Sequence, residues 1–302
     1  MTDRQKPSLA GWSALVTGGG SGIGLGSARR LAADGASVTL CGRSAERLAT
    51  AADAVRAVAA PGADVQTVPT DVTDENQVRA AVAAAIGFGP GPAEGADDGH
   101  DGTRDGHGRL DAVVVSAGGS ETIGPLTQTD AEAWRRTLDL NVTGAMLTIK
   151  AAAPVMAAQG GGAIVAISSI ASAVTHRWFG AYGPSKAALD HLCRVAADEL
   201  GASGIRVNTV RPGLTRTDLV EAITTPGPTL DDYVSQTPLG RIGDVDDVTA
   251  AVRFLIGPEA GWITGQCLGV DGGHALRRGP DLSALLEPVF GAEGLRGVTP
   301  GR

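Results

Sequence analysis

A phenol and an ammonium stand four residues apart in Tyr182-Gly183-Pro184-Ser185-Lys186. At the start of a helix this spacing sends both groups to one side. A free Tyr has a pKa near 10, so proton exchange near pH 7 requires a shift of up to ~3 units, about 4 kcal/mol of phenolate stabilisation. A neighbouring Lys cation is a source of it. A second constellation is Gly18-x-x-x-Gly22-x-Gly24, which also includes Ser21 and Ile23. Glycines there allow positive φ and let backbone N–H groups approach phosphates at a helix N-terminus. Such a turn suits the pyrophosphate of a dinucleotide, and the two constellations together imply a bound dinucleotide beside a proton donor–acceptor.

Both need a framework, and the hydrophobic pattern supplies one. Ser13 to Val16 reads as a buried strand running into the Gly-rich turn, and Leu25, Ala28, Leu31 and Ala32 follow at helical spacing. Gly35 ends that helix. Val38 to Cys41 is a second strand, Ser44 caps the Ala-rich helix after it, and Val65 to Val68 is a third strand. Ala112 to Val115 and Ala163 to Ile167 are continuous apolar runs, as in strands covered on both faces. Between them lies a long helix whose start, Thr129-Asp130-Ala131-Glu132, has capping-box spacing. A helix from Tyr182 to Leu200, a strand from Ile205 to Val210 and a last strand from Cys267 to Val270 complete the series. The expected architecture is α/β: a doubly wound, Rossmann-type layer of about seven parallel strands with helices on both faces.

The chain has 302 residues, 43% of them hydrophobic, and a formal charge of −8. That composition supports a core and is not that of a disordered chain. No Lys/Arg run offers a nucleic-acid surface. The start of the chain lacks a secretory pattern, and no apolar run approaches the ~18 residues of a membrane span. Three scattered cysteines, Cys41, Cys193 and Cys267, argue for a reducing compartment, so a cytoplasmic protein is expected. Length alone allows two domains, but the strand series fits one Rossmann-type domain over residues 1–302, enlarged by an insertion at about 87–108 and a C-terminal extension at about 275–302. The insertion holds eight of the 44 glycines and five acids. That composition reads as a flexible loop at the amino end of the sheet, away from any site at the carboxyl ends. Its His100, Asp101, Asp105 and His107 read as solvated rather than as metal ligands, because nothing fixes their geometry. The extension carries Leu282, Leu285, Leu286, Val289 and Phe290. It reads either as surface packing on its own domain or as a segment lying near a neighbouring subunit's cleft.

Taken in order, these motifs make the sequence resemble a short-chain dehydrogenase/reductase from about Leu9 to Gly273. The resemblance rests on Thr17-Gly18-x3-Gly22-Ile23-Gly24, Asp71-Val72, Ser116-Ala117-Gly118, Asn141, Ser169, Tyr182-x3-Lys186, Pro212-Gly213 and Thr264-Gly265-Gln266. It implies hydride transfer between a nicotinamide and a secondary alcohol or ketone, with 3-oxoacyl and steroid-like carbonyls included. Tyr182 would exchange the proton with the substrate oxygen. Lys186 would lower the Tyr pKa and bind the nicotinamide ribose. Ser169, which stands 13 residues before the Tyr as the family's Ser commonly does, would bond the substrate oxygen. Asn141 would hold a water leading to the Lys, the alternative being a helix-kink or capping Asn. Asp71 and Val72 would flank the adenine, and Thr217 would lie near the carboxamide, with Thr215 beside it. The usual Asn-Asn-Ala-Gly is here Val115-Ser116-Ala117-Gly118. The Ala and Gly that come close to the cofactor are kept, and the bracing Asn side chains are lost.

Cofactor choice rests on Cys41-Gly42-Arg43-Ser44, where no acid follows the second strand. Arg43 can pair a 2′-phosphate and Ser44 can add a donor, so NADP(H) is the expected preference, with NAD(H) the alternative. The substrate is a small carbonyl or alcohol. Its walls are expected from Val174, Trp178, Phe179, Leu219 and Ile223, with Pro226-Gly227-Pro228 as a lid hinge. His176 and Arg177 read as solvent-exposed loop residues rather than as partners of an acidic substrate. Competing readings are a catalytically silent NADP(H)-binding regulator and an enoyl reductase. The intact Asn, Ser, Tyr and Lys argue against the first, and the Ser–Tyr spacing against the second. The resemblance also implies a homo-oligomer, a dimer or tetramer, and no nucleic-acid or membrane partner.

Overall fold

The computed structural model describes residues 9–88, 108–279 and 281–297. Seven parallel strands form one sheet, ordered β3-β2-β1-β4-β5-β6-β7. They are β1 (Ser13–Thr17), β2 (Ser37–Gly42), β3 (Val65–Pro69), β4 (Ala112–Val115), β5 (Gly162–Ile167), β6 (Ile205–Pro212) and β7 (Cys267–Val270). Helices α1 (Gly22–Ala33), α2 (Ala45–Arg56), α3 (Glu75–Ala85), α4 (Ala131–Leu138), α5 (Gly144–Ala158), α6 (Tyr182–Leu200) and α9 (Val245–Ile256) cover its faces. Two smaller helices, α7 (Glu221–Thr224) and α8 (Pro228–Gln236), follow β6, and α10 (Ser283–Gly294) lies in the C-terminal extension, kinked at Gly291.

The strands are apolar throughout because both faces are covered. Ala14, Val16, Val38, Leu40, Val114 and Val165 pack on one side with Leu31, Val252 and Leu255. Leu15, Val113, Val115 and Ile164 pack on the other with Ile149, Met156 and Leu189. The strand order reverses between β1 and β4, which pair Thr17 with Val115 at their carboxyl ends. In an open parallel sheet the loops that diverge at such a point leave a crevice for a ligand.

Three local features bear on the sequence expectation. The cap of α4 is Asp130, which accepts from Ala133 N at 2.8 Å, while Thr129 Oγ1 turns back to Pro125 O, so the Thr–Glu capping box does not form. The long helix is interrupted by a π-helical turn at Asp139–Thr143. At 28 residues, Ala131–Ala158 reaches the length and apolarity of a membrane span, with half of its most apolar window buried, as in a core helix. The third concerns the extension. Its Leu282 and Leu286 are buried against Ile223 and Tyr233 of the same chain, so it packs on this chain's own cleft, as the first of the two readings expects.

Residues 89–107 of the insertion, including His100, Asp101, Asp105 and His107, lie outside the described residues. Its two described ends meet beside the start of β4, where Gly87 N donates to Arg109 O at 2.7 Å.

Candidate active site

The Gly-rich turn leaves β1 and enters α1 under close steric control. Gly18 has φ +65°, and a Cβ there would stand 2.8 Å from Ala117 N. A Cβ on Gly24 would stand 2.2 Å from Gly18 O, so the helix presses directly under the turn. Gly22 has φ +52° and faces Thr217. This is a backbone cradle that only glycines fit. Across it, Thr17 Oγ1 accepts from Ser116 N at 3.1 Å and from Ala117 N at 3.2 Å. The bracing expected to be lost with the missing Asn pair is thus supplied by one threonine.

Tyr182 opens α6 and Lys186 lies one turn on, both at the cavity wall. Lys186 is 5% exposed, and its Nζ donates to Ile167 O at 2.8 Å. Burial lowers its pKa from the ordinary lysine range to about 8. Tyr182 is pushed upward by burial, and its hydrogen bond with Ser169 pulls the other way. The Lys186 ammonium sits 5.8 Å from the phenol ring centroid, with one of its three N–H groups given to Ile167 O. These groups alone therefore leave Tyr182 in its protonated, proton-donating form at neutral pH.

Ser168 and Ser169 diverge as strand alternation requires. Ser168 Oγ turns to Lys186 O at 3.3 Å, and Ser169 Oγ accepts from Ala171 N at 3.1 Å while its hydroxyl serves Tyr182. Asn141 lies in the π turn and is 1% exposed. Its Nδ2 donates to Gly119 O and Ser185 Oγ, each at 2.8 Å, and its Oδ1 accepts from Gly119 N at 2.9 Å. The side chain thus clamps the strand-end loop to α6. Gly118 lies between it and the lysine: a Cβ there would be 2.9 Å from Asn141 Oδ1 and 3.0 Å from Lys186 Nζ.

Two cavities join at Gly18, Ser21, Ala117 and Gly118. The first, about 340 Å³, is lined by Gly22, Ile23, Ser116, Ser169, Tyr182, Lys186, Pro212, Gly213, Thr215 and Thr217, with Phe179, Leu219 and Ile223 as its apolar wall. The second, about 290 Å³, is lined by Arg43, Ser44, Asp71 and Val72. Asp71 Oδ1 is engaged by Thr73 N at 2.9 Å and Thr73 Oγ1 at 2.7 Å. Ser44 Oγ accepts from Arg47 N at 3.2 Å as the cap of α2. Of the catalytic and cofactor-binding residues expected from sequence, only Gly24 and Asn141 line neither cavity, and both press on residues that do. No group of metal-ligating side chains occurs among the described residues.

The substrate side departs from expectation. Val174 and Trp178 do not line the cavity, and Trp178 instead donates Nε1–H to Ser283 Oγ of the extension at 3.3 Å. Arg177 is exposed and paired with Asp281, as a surface residue should be, whereas His176 is a half-buried wall residue. Arg47 and Tyr233 also line the two cavities and were missed. Arg47 follows Arg43 by one helical turn, a spacing that reads equally well as a solvated face. Tyr233 lies in a segment with no recognisable motif.

Comparison with known proteins agrees with this geometry. The family model described as "short chain dehydrogenase" matches residues 13–88, and one described as "Enoyl-(Acyl carrier protein) reductase" matches residues 94–275. The chain is 38% identical over 262 residues to cis-4-hydroxycyclohexanecarboxylate dehydrogenase of Sinomonas cyclohexanicum, covering 86% of this chain and 95% of that one. The chain belongs to the short-chain dehydrogenase/reductase family. A short-chain type dehydrogenase/reductase from Mycobacterium ulcerans is 52% identical with a TM-score of 0.88, covering 97% of this chain and all of that one. A 7α-hydroxysteroid dehydrogenase complexed with NADH and 7-oxo glycochenodeoxycholic acid is 30% identical with a TM-score of 0.77, covering 90% of this chain and 98% of that one. This short-chain dehydrogenase/reductase is therefore an oxidoreductase acting on alcohol and ketone groups, in a family that uses NAD(P)(H). The Gly18–Gly24 cradle, which any Cβ would fill, fits that cofactor's pyrophosphate.

Proposed function

We propose that the protein interconverts a secondary alcohol and a ketone carried on a compact ring, with NADP(H) as cofactor. The observation that carries this reading is the placement of Tyr182, hydrogen-bonded to Ser169, on the cavity that adjoins the glycine cradle. The names of relatives support a ring substrate, since one acts on a hydroxycyclohexanecarboxylate and another holds a 7-oxo steroid acid. The apolar wall of Phe179, Leu219 and Ile223 suits such a body.

When bound, the nicotinamide supplies or accepts the hydride. The protein's own groups handle the proton and the oxygen. Ser169 donates to the substrate oxygen and fixes it beside Tyr182, whose Oη–H gives its proton as negative charge develops there. In the oxidative direction Tyr182 takes the hydroxyl proton. Lys186 places a cation behind the phenol and faces the ribose side of the cavity. Gly18, Ser21, Gly22, Ile23 and Gly24 form the pyrophosphate cradle. Ser116, Ala117, Gly118, Pro212, Gly213, Thr215 and Thr217 form the nicotinamide wall. Asp71 and Val72 flank the adenine.

Preference for NADP(H) is supported by two guanidinium groups, Arg43 and Arg47, on the second cavity, where no acid follows β2. Neither has an ion-pair partner among the described residues. Tyr182→Phe should abolish turnover of cyclic ketones while NADPH binding, followed by fluorescence titration, stays within about threefold. Full activity in that variant would refute the assignment. In the same assay kcat/KM should favour NADPH over NADH by at least about tenfold, and a tenfold preference for NADH would overturn the cofactor assignment.

A further inference from the structure

The wall of the first cavity opposite the glycine cradle holds two polar atoms without protein partners. Tyr233, on α8, lines the cavity and is 3% exposed. Its hydroxyl has no hydrogen-bond partner among the described residues. It is not sealed in either, because the only buried side-chain polar atom left without a partner among them is Ser172 Oγ. The Tyr233 Oη thus keeps accessible surface on a residue that lines the cavity. Burial, with Tyr182 and Asp232 nearby, raises the pKa of its phenol, so Tyr233 stays protonated and can donate.

His176 forms the other half. Its Nδ1 sits 2.8 Å from Val174 O. A carbonyl only accepts, so Nδ1 carries the hydrogen and Nε2 is left as an acceptor in the neutral ring. Burial and the nearby His274 both lower the His176 pKa, which favours that neutral form. Nε2 has no partner among the described residues, and His176 lines the same cavity. The rings of His176 and Tyr233 are 6.3 Å apart, and His274 packs on both, at 5.9 and 5.6 Å, fixing their mutual position. Phe179, Leu214, Leu219 and Ile223 give this side of the cavity its apolar surface, and Asp218 and Ser120 also line the cavity.

We infer that Tyr233 and His176 bind a second hydroxyl of the substrate, distant from the reacting carbon, so that the substrate is a compact diol or hydroxyketone. This rests on the reading of the site as a secondary alcohol/ketone centre. A donor and an acceptor side by side match a hydroxyl, which accepts from Tyr233 Oη–H and donates to His176 Nε2. An ether or second ketone leaves Nε2 unpaired, and a carboxylate repels its lone pair. Discrimination of this kind is strong because a substrate lacking the group leaves a donor and an acceptor without partners when it displaces water from them.

The test compares cyclohexane-1,3-diol and cyclohexane-1,4-diol with cyclohexanol, using wild type, Tyr233→Phe and His176→Phe. Binding is titrated in the presence of saturating NADP⁺, and kcat/KM is measured in parallel. Wild type should bind at least one diol about tenfold more tightly than cyclohexanol, and each variant should remove that preference while leaving cyclohexanol affinity within about threefold. Equal losses for diol and cyclohexanol would mean a packing role and overturn the inference. So would a wild type that binds the diols no better than cyclohexanol. Diol-selective binding without any turnover would instead count against the alcohol/ketone reading, so the two failures are distinguishable.

Discussion

At the scale of single residues, the site is governed by what lies within one atom's width of Lys186. Gly118 separates it from Asn141, with room for hydrogen and not for a methyl group. Gly118→Ala should therefore displace the ammonium and lower kcat/KM by about a hundredfold, since a shift of order 1 Å at reacting groups has that effect. Gly201→Ala is the control. It has right-handed φ and nothing within 4 Å of its added methyl, so stability should be unchanged or rise by about 0.5 kcal/mol. Buried Lys186 also makes stability depend on pH. The unfolded chain holds this proton to about pH 10.4, whereas the folded protein releases it near 8. Between those values the unfolded state binds more protons, so stability rises with pH. The penalty for burying the charge is complete below pH 8 and gone above the unfolded pKa. In denaturant titrations of the nucleotide-free protein, wild type should gain on Lys186→Met from pH 8 to 10, by at most about 1.4 kcal/mol per unit. A difference that stays flat would show that the lysine does not titrate there. Lys186, Tyr182 and the glycines were legible in the sequence because their spacing is itself the signal. Tyr233 and His176 were not, since a lone aromatic residue in a loop segment reads as packing until the fold shows what it faces.

The decisive element is the C-terminal extension. It reaches all three segments that wall the substrate side: Phe290 lies against Gly124, Trp178 bonds Ser283, and Arg278 and Asp232 pair at 2.7 Å on α8. Trp178 is held at φ +71°, a strained setting for a non-glycine residue, next to the cavity residue Phe179. The exposed ion pairs Arg177–Asp281 and Arg278–Asp232 contribute at most about 1 kcal/mol each. Buried Leu282 and Leu286 contribute more, about 1.5–3 kcal/mol apiece. Leu282→Ala should accordingly raise KM for a ring ketone by about tenfold and lower the melting temperature, while Asp281→Ala changes both little. NADPH affinity should stay within about twofold, because no hydrogen bond or ion pair among the described residues joins the extension to the lining of the second cavity. Equal effects of the two substitutions would reject the apolar account. The apolar residues of this helix were evident in the sequence, but not their destination, because a short amphipathic run fits any apolar face. The π turn was hidden for a related reason: one extra residue per turn blurs a 3.6-residue period without erasing it. Asp130 displaced Thr129 as a cap because adjacent residues with capping side chains compete for the same N–H groups.

Across the described residues, the parallel sheet has a carboxyl-end side, and the residues that line the two joined cavities lie on it. That placement was readable in advance, since seven apolar runs alternating with helical periods leave little freedom in a right-handed parallel layer. It also assigns the long Gly- and Asp-rich insertion a place. Gly87 and Gly108 meet so closely at the start of β4 that a Cβ on Gly87 would stand 2.6 Å from Gly108 Cα. With a Cα–Cβ bond of about 1.5 Å, their Cα atoms can be no more than about 4.1 Å apart, within reach of the ~3.8 Å of a single peptide link. Removing residues 88–107 should therefore let Gly87 join Gly108 directly, with β4 and its pairing to β1 undisturbed. The loop-closure entropy relieved by the excision is at most about 3 kcal/mol, so the melting temperature should hold or rise. kcat and KM for a ring ketone should stay within about twofold, because both cavities open at the far edge of the sheet. A tenfold loss of kcat in a deletion variant that still folds would mean that the insertion acts on the site from the opposite end of the sheet.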